Sequence, residues 1–237
     1  MKVFVQVKIQ PGKPCRQKSR VVVQGFHEAD TGADKAAPVA SEESVHLLIA
    51  NAANNGPILR QVDINTAFLK ARMECDDPDV YVIPPKGFEC DEKQKDQVWR
   101  LKACLYGLRL SLRGWWGTMH TYLLEIGFVS STADPCVYNL DYGAVFLLLY
   151  FDDILLSGSD DENVSQVIEK LKDRLEKVDL GDAKFLLGMG IHRNVHAGTF
   201  ILSQETYVRT ILETNGMADA RPTKTPAEAG PAQSGED

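Results

Sequence analysis

Several signatures are missing from this 237-residue sequence, and each absence closes off a class of protein. It has five cysteines, Cys15, Cys75, Cys90, Cys104 and Cys136, an odd number with no pair at C-x-x-C spacing. Neither a disulfide framework nor a zinc ribbon is readable from them, and free thiols in a reducing compartment are expected. No apolar run approaches the roughly 20 residues of a membrane-spanning helix. The opening MKVFVQVKIQPGK alternates in polarity and breaks at Pro11-Gly12, which does not read as a signal peptide. There is no dinucleotide fingerprint and no P-loop, so two common phosphate-binding schemes are excluded. No internal repeat is visible.

Acid is missing from two stretches. Residues 1–27 carry Lys2, Lys8, Lys13, Arg16, Lys18 and Arg20, and residues 97–124 carry Arg100, Lys102, Arg109 and Arg113, in both cases without an Asp or Glu. The net charge of −7 therefore hides local basic segments, and nucleic-acid binding depends on such patches rather than on the average. Either run alone reads better as a solvated face. The hydrophobic content of 44% and charged content of 25% are those of a globular chain with a sizeable core.

The chain is organised around AVFLLLYFDDILLSG, from Ala144 to Gly158. Its two apolar runs are short and close together, and they read as buried strands of a hairpin with Asp152 and Asp153 at the turn. Adjacent carboxylates beside a core repel each other and are costly to desolvate. A hard divalent cation removes that cost, which suits Mg²⁺ or Mn²⁺. A solvated Asp-Asp turn is the plain alternative.

Around this hairpin, alternation predicts strands over 2–9, 20–24, 58–64, 80–83, 98–101, 136–140, 185–191 and 200–202. Helical spacing predicts helices after the cap Ser41, over 111–126, after the cap Asp160 and after the cap Ser203. The Pro-, Ala-, Gly- and Ser-rich segment 222–237 reads as a linker or disordered tail. The expected class is α+β: a mostly antiparallel sheet with helices packed on one face. Asp63, at the end of its strand, can meet Asp152 and Asp153 if the strands are neighbours. Three carboxylates so gathered can hold two divalent ions about 3.5–4 Å apart for phosphoryl or nucleotidyl transfer. The basic hairpin at 2–24 is a candidate clamp for a triphosphate.

The motifs carry a more specific message. QVDINTAFL (61–69), LYGLR (105–109) followed by Arg113 and Trp115, and YFDDILLSGSD (150–160) occur in that order. SRVVVQGF (19–26), Asp134-Pro135, LGDAKFLLGMGI (180–191), LSQETYV (202–208), Gly216-Met217 and Thr225-Pro226 accompany them. Over residues 2 to about 226 the chain resembles the reverse transcriptase domain of copia-type LTR retrotransposon Pol polyproteins. The resemblance implies an RNA-directed DNA polymerase of right-hand architecture. Residues 1–60 would form fingers (basic hairpin and helix) and 61–192 a ferredoxin-like palm, with 97–130 connecting the two. Residues 193–221 would begin a thumb.

By the same resemblance, Asp63, Asp152 and Asp153 would be the catalytic metal ligands for two Mg²⁺ ions, with Mn²⁺ as a substitute. Lys18 and Arg20 would contact the triphosphate. Ile64 would offer its carbonyl to a metal or its amide to a phosphate. Phe68 would press on the sugar and exclude a 2′-hydroxyl, with a plain core aromatic as the alternative. Tyr150 and Phe151 would line the primer terminus, and Leu187, Gly188 and Met189 the primer grip. Trp115 and Trp116 are expected as core residues of their helix. Implied partners are an RNA or DNA template with its primer, deoxynucleoside triphosphates, and integrase and RNase H regions of a polyprotein. No membrane is implied, and the expected compartment is the cytoplasm, in a retrotransposon particle, or the nucleus.

The chain departs from the family pattern at Leu110, where a nucleotide-positioning Gln is usual, and at Leu112, where a Pro is usual. These departures raise a second reading, an inactive relic or fragment that binds primer–template without extending it. A third reading is an unrelated Mg²⁺-dependent phosphotransferase on a ferredoxin-like fold.

Overall fold

Strand-forming alternation around the two Asp motifs builds the centre of the molecule. A computed structural model describes residues 1–8, 16–25, 36–55, 58–64, 66–71, 73, 79–85, 88, 97–175, 177–194 and 196–222. In chain order the elements are β1 (Lys2–Lys8), β2 (Arg16–Val22), α1 (Glu42–Asn55), β3 (Ile58–Ile64), α2 (Ala67–Lys70), β4 (Tyr81–Val82) and β5 (Trp99–Arg100). Then follow α3 (Ser111–Glu125), β6 (Val129–Ser130), β7 (Val137–Leu140), β8 (Val145–Tyr150), β9 (Asp153–Gly158), α4 (Asp161–Arg174) and β10 (Lys177–Asp182). The chain closes with β11 (Phe185–Leu186), β12 (Met189–Asn194), β13 (Thr199–Ser203) and α5 (Glu205–Thr214). The expected tail, from 223 onward, lies outside the described residues.

The main sheet is six-stranded and antiparallel, in the order β10-β3-β9-β8-β7-β6. Within it, β3-α3-β8-β9-α4-β10 is a β-α-β-β-α-β unit whose strands lie in the spatial order 4-1-3-2, a split β-α-β arrangement. Strand β10 was not foreseen. Its sequence, KVDLGD, is too charged to signal a strand, and its pairing with β3 shifts register between Asp179 and Gly181. The single strand expected over 185–191 is two, β11 and β12, joined by Leu187-Gly188 with both φ values positive. That is the pattern of a two-residue type I′ turn, which glycine favours.

Strand β3 shows how the sheet divides the core. Val62 and Ile64 point to one face, where Trp115, Met119 and Leu123 of α3 and Val164, Ile168 and Leu171 of α4 pack with Leu147, Ile154 and Leu156. Leu59 points to the other face, where Val45, Leu48, Ile49 and Ala52 of α1 pack with Leu148, Leu155, Leu186 and Ile191. Helices therefore cover both faces, which corrects the expectation of helices on one. The reason is in α1: its apolar stripe needs burial, and only the second face is left to it. Each of the buried Val, Leu, Ile and Met side chains among these contributes about 1.5–3 kcal/mol.

Two caps are as the sequence implies: Ser41 Oγ accepts from the Ser44 amide at 3.1 Å and Asp160 Oδ1 from Glu162 at 3.1 Å. The third is displaced by one residue: the cap position of α5 is Gln204, and Ser203 before it only accepts the Glu205 amide at 3.2 Å. The expected domain boundaries at 60/61 and 192/193 both fall inside strands, β3 and β12.

Candidate active site

The register of β3 against β9 sets the geometry. Asp63 lies opposite Asp153, and one step further the Ile64 amide donates to the Asp152 carbonyl at 3.0 Å. That bond makes Ile64/Asp152 a hydrogen-bonded position and Asp63/Asp153 the closer, non-hydrogen-bonded one, with Cα atoms about 4.5 Å apart. Both aspartates share a face, and so does Gln61, two residues back on β3. The Gln61 amide donates from Nε2 to Asp153 Oδ1 at 3.1 Å.

Asp152 occupies the two-residue loop that joins Tyr150 to Asp153. The loop begins with Phe151 at φ +52°, the left-handed start expected of a type II′ hairpin turn, where glycine is preferred. Tyr150 and Phe151 meet edge to face at 4.7 Å. Trp115, expected only as core, also reaches this loop: its indole Nε1–H donates to the Phe151 carbonyl at 2.6 Å.

The electrostatics follow from this gathering. Burial raises the Asp153 carboxyl above its ordinary range, and the charges of Asp152 and Asp63 push the same way, against the Gln61 hydrogen bond. Tyr106 is also raised, by burial first and then by Asp152 and Asp63, while Arg20 pulls it down. The phenol thus sits in the field of the basic hairpin and of the carboxylates at once. Its ring meets Phe68 edge to face at 5.0 Å. Tyr106 lies inside a quoted motif, but nothing in its spacing marked it as a site residue.

Arg20 stands opposite Phe4 in the β1–β2 hairpin. The hairpin is tied down where Val23 donates to Tyr106 O at 2.8 Å and Gly25 to Gly107 O at 3.1 Å. A Cβ on Gly25 would lie 2.1 Å from Gly107 O, so this crossing requires glycine.

Beside Asp153, a cavity of about 490 Å³ is lined by Gln61, Asp182, Lys184, Phe185, Leu186 and Leu187. The β11–β12 turn therefore shares a cleft with Asp153: Leu187 is exposed, and Met189 is buried behind it.

Other expected site residues fall differently. The Ile64 amide is engaged by Asp152, so of its two suggested roles only the carbonyl one survives. Leu110 is 3% exposed, in the core at the start of α3. The side chain of Lys18 lies outside the described set.

Three hard oxygen donors, from the end of β3, the β8–β9 loop and the start of β9, have the chemistry for Mg²⁺. Among the described residues, no three His, Cys, Asp or Glu side chains are close enough to cage an ion unaided. Mg²⁺ in such sites is held by one or two carboxylates plus substrate phosphates, so the donor set fits an ion completed by its substrate.

Comparison with known proteins agrees with the motifs. The family model described as reverse transcriptase (RNA-dependent DNA polymerase) matches residues 2–229. The chain is 32% identical over 97% of its length to the retrovirus-related Pol polyprotein from transposon RE1 of Arabidopsis thaliana. It is 34% identical over 90% of its length to that from transposon TNT 1-94 of Nicotiana tabacum. In both cases it spans 16% of the relative.

Proposed function

Because the chain belongs to the reverse transcriptase (RNA-dependent DNA polymerase) family of copia-type Pol polyproteins, we propose that it extends a primer 3′-hydroxyl by two-metal nucleotidyl transfer. The observation that carries this reading is the register that sets Asp63 against Asp153, with Asp152 in the adjoining loop.

Asp63 and Asp152 would hold the ions, and Asp153, steadied by Gln61, would complete the negative field. Bound there, two Mg²⁺ would activate the 3′-hydroxyl and neutralise charge on the departing pyrophosphate. Arg20 would reach the triphosphate from the hairpin side, with Lys18 as its companion. The phenol of Tyr106, which feels both Arg20 and the acids, would donate a hydrogen bond to the nucleotide. Phe68, braced by Tyr106, would press its ring on the sugar, so that a 2′-hydroxyl meets carbon instead of space. Tyr150 and Phe151 would flank the primer end, and the Leu187-Gly188 turn would grip its backbone.

The hairpin and α1 would then act as fingers, the 4-1-3-2 unit as palm, and the segment from β13 through α5 as the beginning of a thumb. The proposed partners are primer–template, deoxynucleoside triphosphates and further Pol regions such as integrase and RNase H. The proposed setting is a cytoplasmic particle or the nucleus.

Primer extension on an RNA template tests the reading directly. Wild-type protein should incorporate deoxynucleotides with Mg²⁺ and lose at least about 100-fold in rate as Asp152→Asn. Incorporation that survives the substitution would mean the acids are wrongly assigned.

A further inference from the structure

A hairpin loop that carries a metal ligand must hold that ligand still. The loop here has reasons to move. Phe151 sits at φ +52°, which is costly for a bulky L residue. In a two-residue hairpin turn the closing bond joins the flanking residues, here Tyr150 and Asp153, and the carbonyls within the loop are left to find other partners.

In this molecule both of those carbonyls are held from outside the hairpin. The Phe151 carbonyl accepts from Trp115 Nε1–H at 2.6 Å. The Asp152 carbonyl accepts from the Ile64 amide at 3.0 Å. A held carbonyl fixes the plane of its peptide. The two planes concerned are those before and after Asp152, so its Cα is clamped on each side. One clamp is strand β3, next to Asp63. The other is α3, through a side chain that is itself only 1% exposed.

We propose that Trp115 is a positioning residue for nucleotidyl transfer: its indole N–H holds the Phe151–Asp152 peptide and thereby aims the Asp152 carboxylate at its ion. The proposal rests on the two-metal reading above. Phenylalanine keeps most of the ring and the packing at 115 but has no donor, so Trp115→Phe isolates the hydrogen bond. Leu123, fully buried on the same helix and in the same core, supplies a packing control as Leu123→Ala.

The test compares wild type, Trp115→Phe, Leu123→Ala and Asp152→Asn in primer extension, with Mn²⁺ binding followed by electron paramagnetic resonance below the melting temperature of each. Outer partners of a metal ligand typically change activity or metal affinity by 10- to 100-fold. Trp115→Phe should therefore lose about 10-fold or more in kcat, bind Mn²⁺ correspondingly more weakly, and leave the KM for deoxynucleotide within about threefold. Leu123→Ala should melt earlier yet keep wild-type kcat and Mn²⁺ affinity.

A Trp115→Phe protein that copies and binds Mn²⁺ like wild type overturns the proposal, and so does a loss matched by Leu123→Ala. If Trp115→Phe fails to fold, the wild-type chain still decides. Its assigned Trp115 indole N–H resonance should exchange slowly with solvent and shift on Mg²⁺ addition; fast exchange with no shift overturns the idea. Wild-type protein that binds Mn²⁺ but extends no primer would sink the polymerase reading, while the indole resonance would still report on the clamp.

Discussion

At the scale of single residues, Asp153 shows a site held against its own stability. Its carboxyl is raised by burial and by two neighbouring acids, so the folded state binds its proton more tightly than the unfolded chain does. The charged form is then a burden above the folded pKa, and stability is recovered as pH falls through that value towards the ordinary one. Asp153→Asn removes the charge and can keep the bond from Gln61 through its amide oxygen. The metal-free variant should be more stable than wild type by about 1 kcal/mol, read by denaturant unfolding, while primer extension falls steeply. Equal or lower stability would mean that the acids do not burden one another.

Leu110 argues in the other direction. The family pattern has Gln there, but position 110 is in the core, where an amide without partners costs about 1–3 kcal/mol. Leu110→Gln should destabilise by about that amount and leave the extension rate no higher. A gain in rate would restore the inactive-relic reading.

Among elements, the informative contacts are those that dock one piece on another. The basic hairpin is tied to the loop before α3 at the Gly25–Gly107 crossing. Gly25→Ala should push the chains apart at a cost of about 1–3 kcal/mol. The KM for deoxynucleotide should rise more than kcat falls, because Arg20 travels with the hairpin and the acids do not. An unchanged KM would detach the hairpin from substrate binding.

A second dock joins α1 to β7. Asp134 accepts from the Ser41 amide at 3.0 Å, the Ser44 hydroxyl at 2.6 Å and the Cys136 amide at 2.9 Å. Burial raises its pKa, but these bonds outweigh it and the net shift is downward. The staple is therefore fully present above the ordinary value of 3.8 and is lost as pH falls through the lower folded value. Acid unfolding of Asp134→Asn should show a flatter dependence than wild type between the ordinary value and that lower folded one.

Much of this level was legible in the sequence. β3 was read to the residue, because Ile58, Leu59, Val62 and Ile64 supply a short apolar run and Asn55-Gly56 marks where the preceding helix ends. The caps Ser41 and Asp160 were read because capping chemistry is local. β10, the Leu187-Gly188 turn and the second covered face were not, since each depends on a partner distant in the chain. The Trp115 bond was hidden for the same reason: a core tryptophan and an anchoring one look alike until the helix meets its loop.

For the molecule as a whole, charge is separated rather than averaged. The net value of −7 would repel a polyanion. Yet Arg20 and the tyrosine beside the acids belong to segments with no acid of their own, and exposed Lys102 lies in the second such segment. The resemblance named the substrate class; the fold adds that the sheet's split topology carries the acids to one end and docks the basic hairpin next to them. Binding of primer–template should then be driven by phosphate contacts and the release of their counterions. With several such contacts, affinity should fall by at least about 10-fold between 50 and 200 mM salt despite the acidic total. Lys102→Ala should lower the slope of log affinity against log salt by about one, with little change between template sequences. Fluorescence anisotropy with a labelled primer–template across a salt series measures both. A flat salt series would mean that the basic segments face away from the nucleic acid, even if the acids proved catalytic.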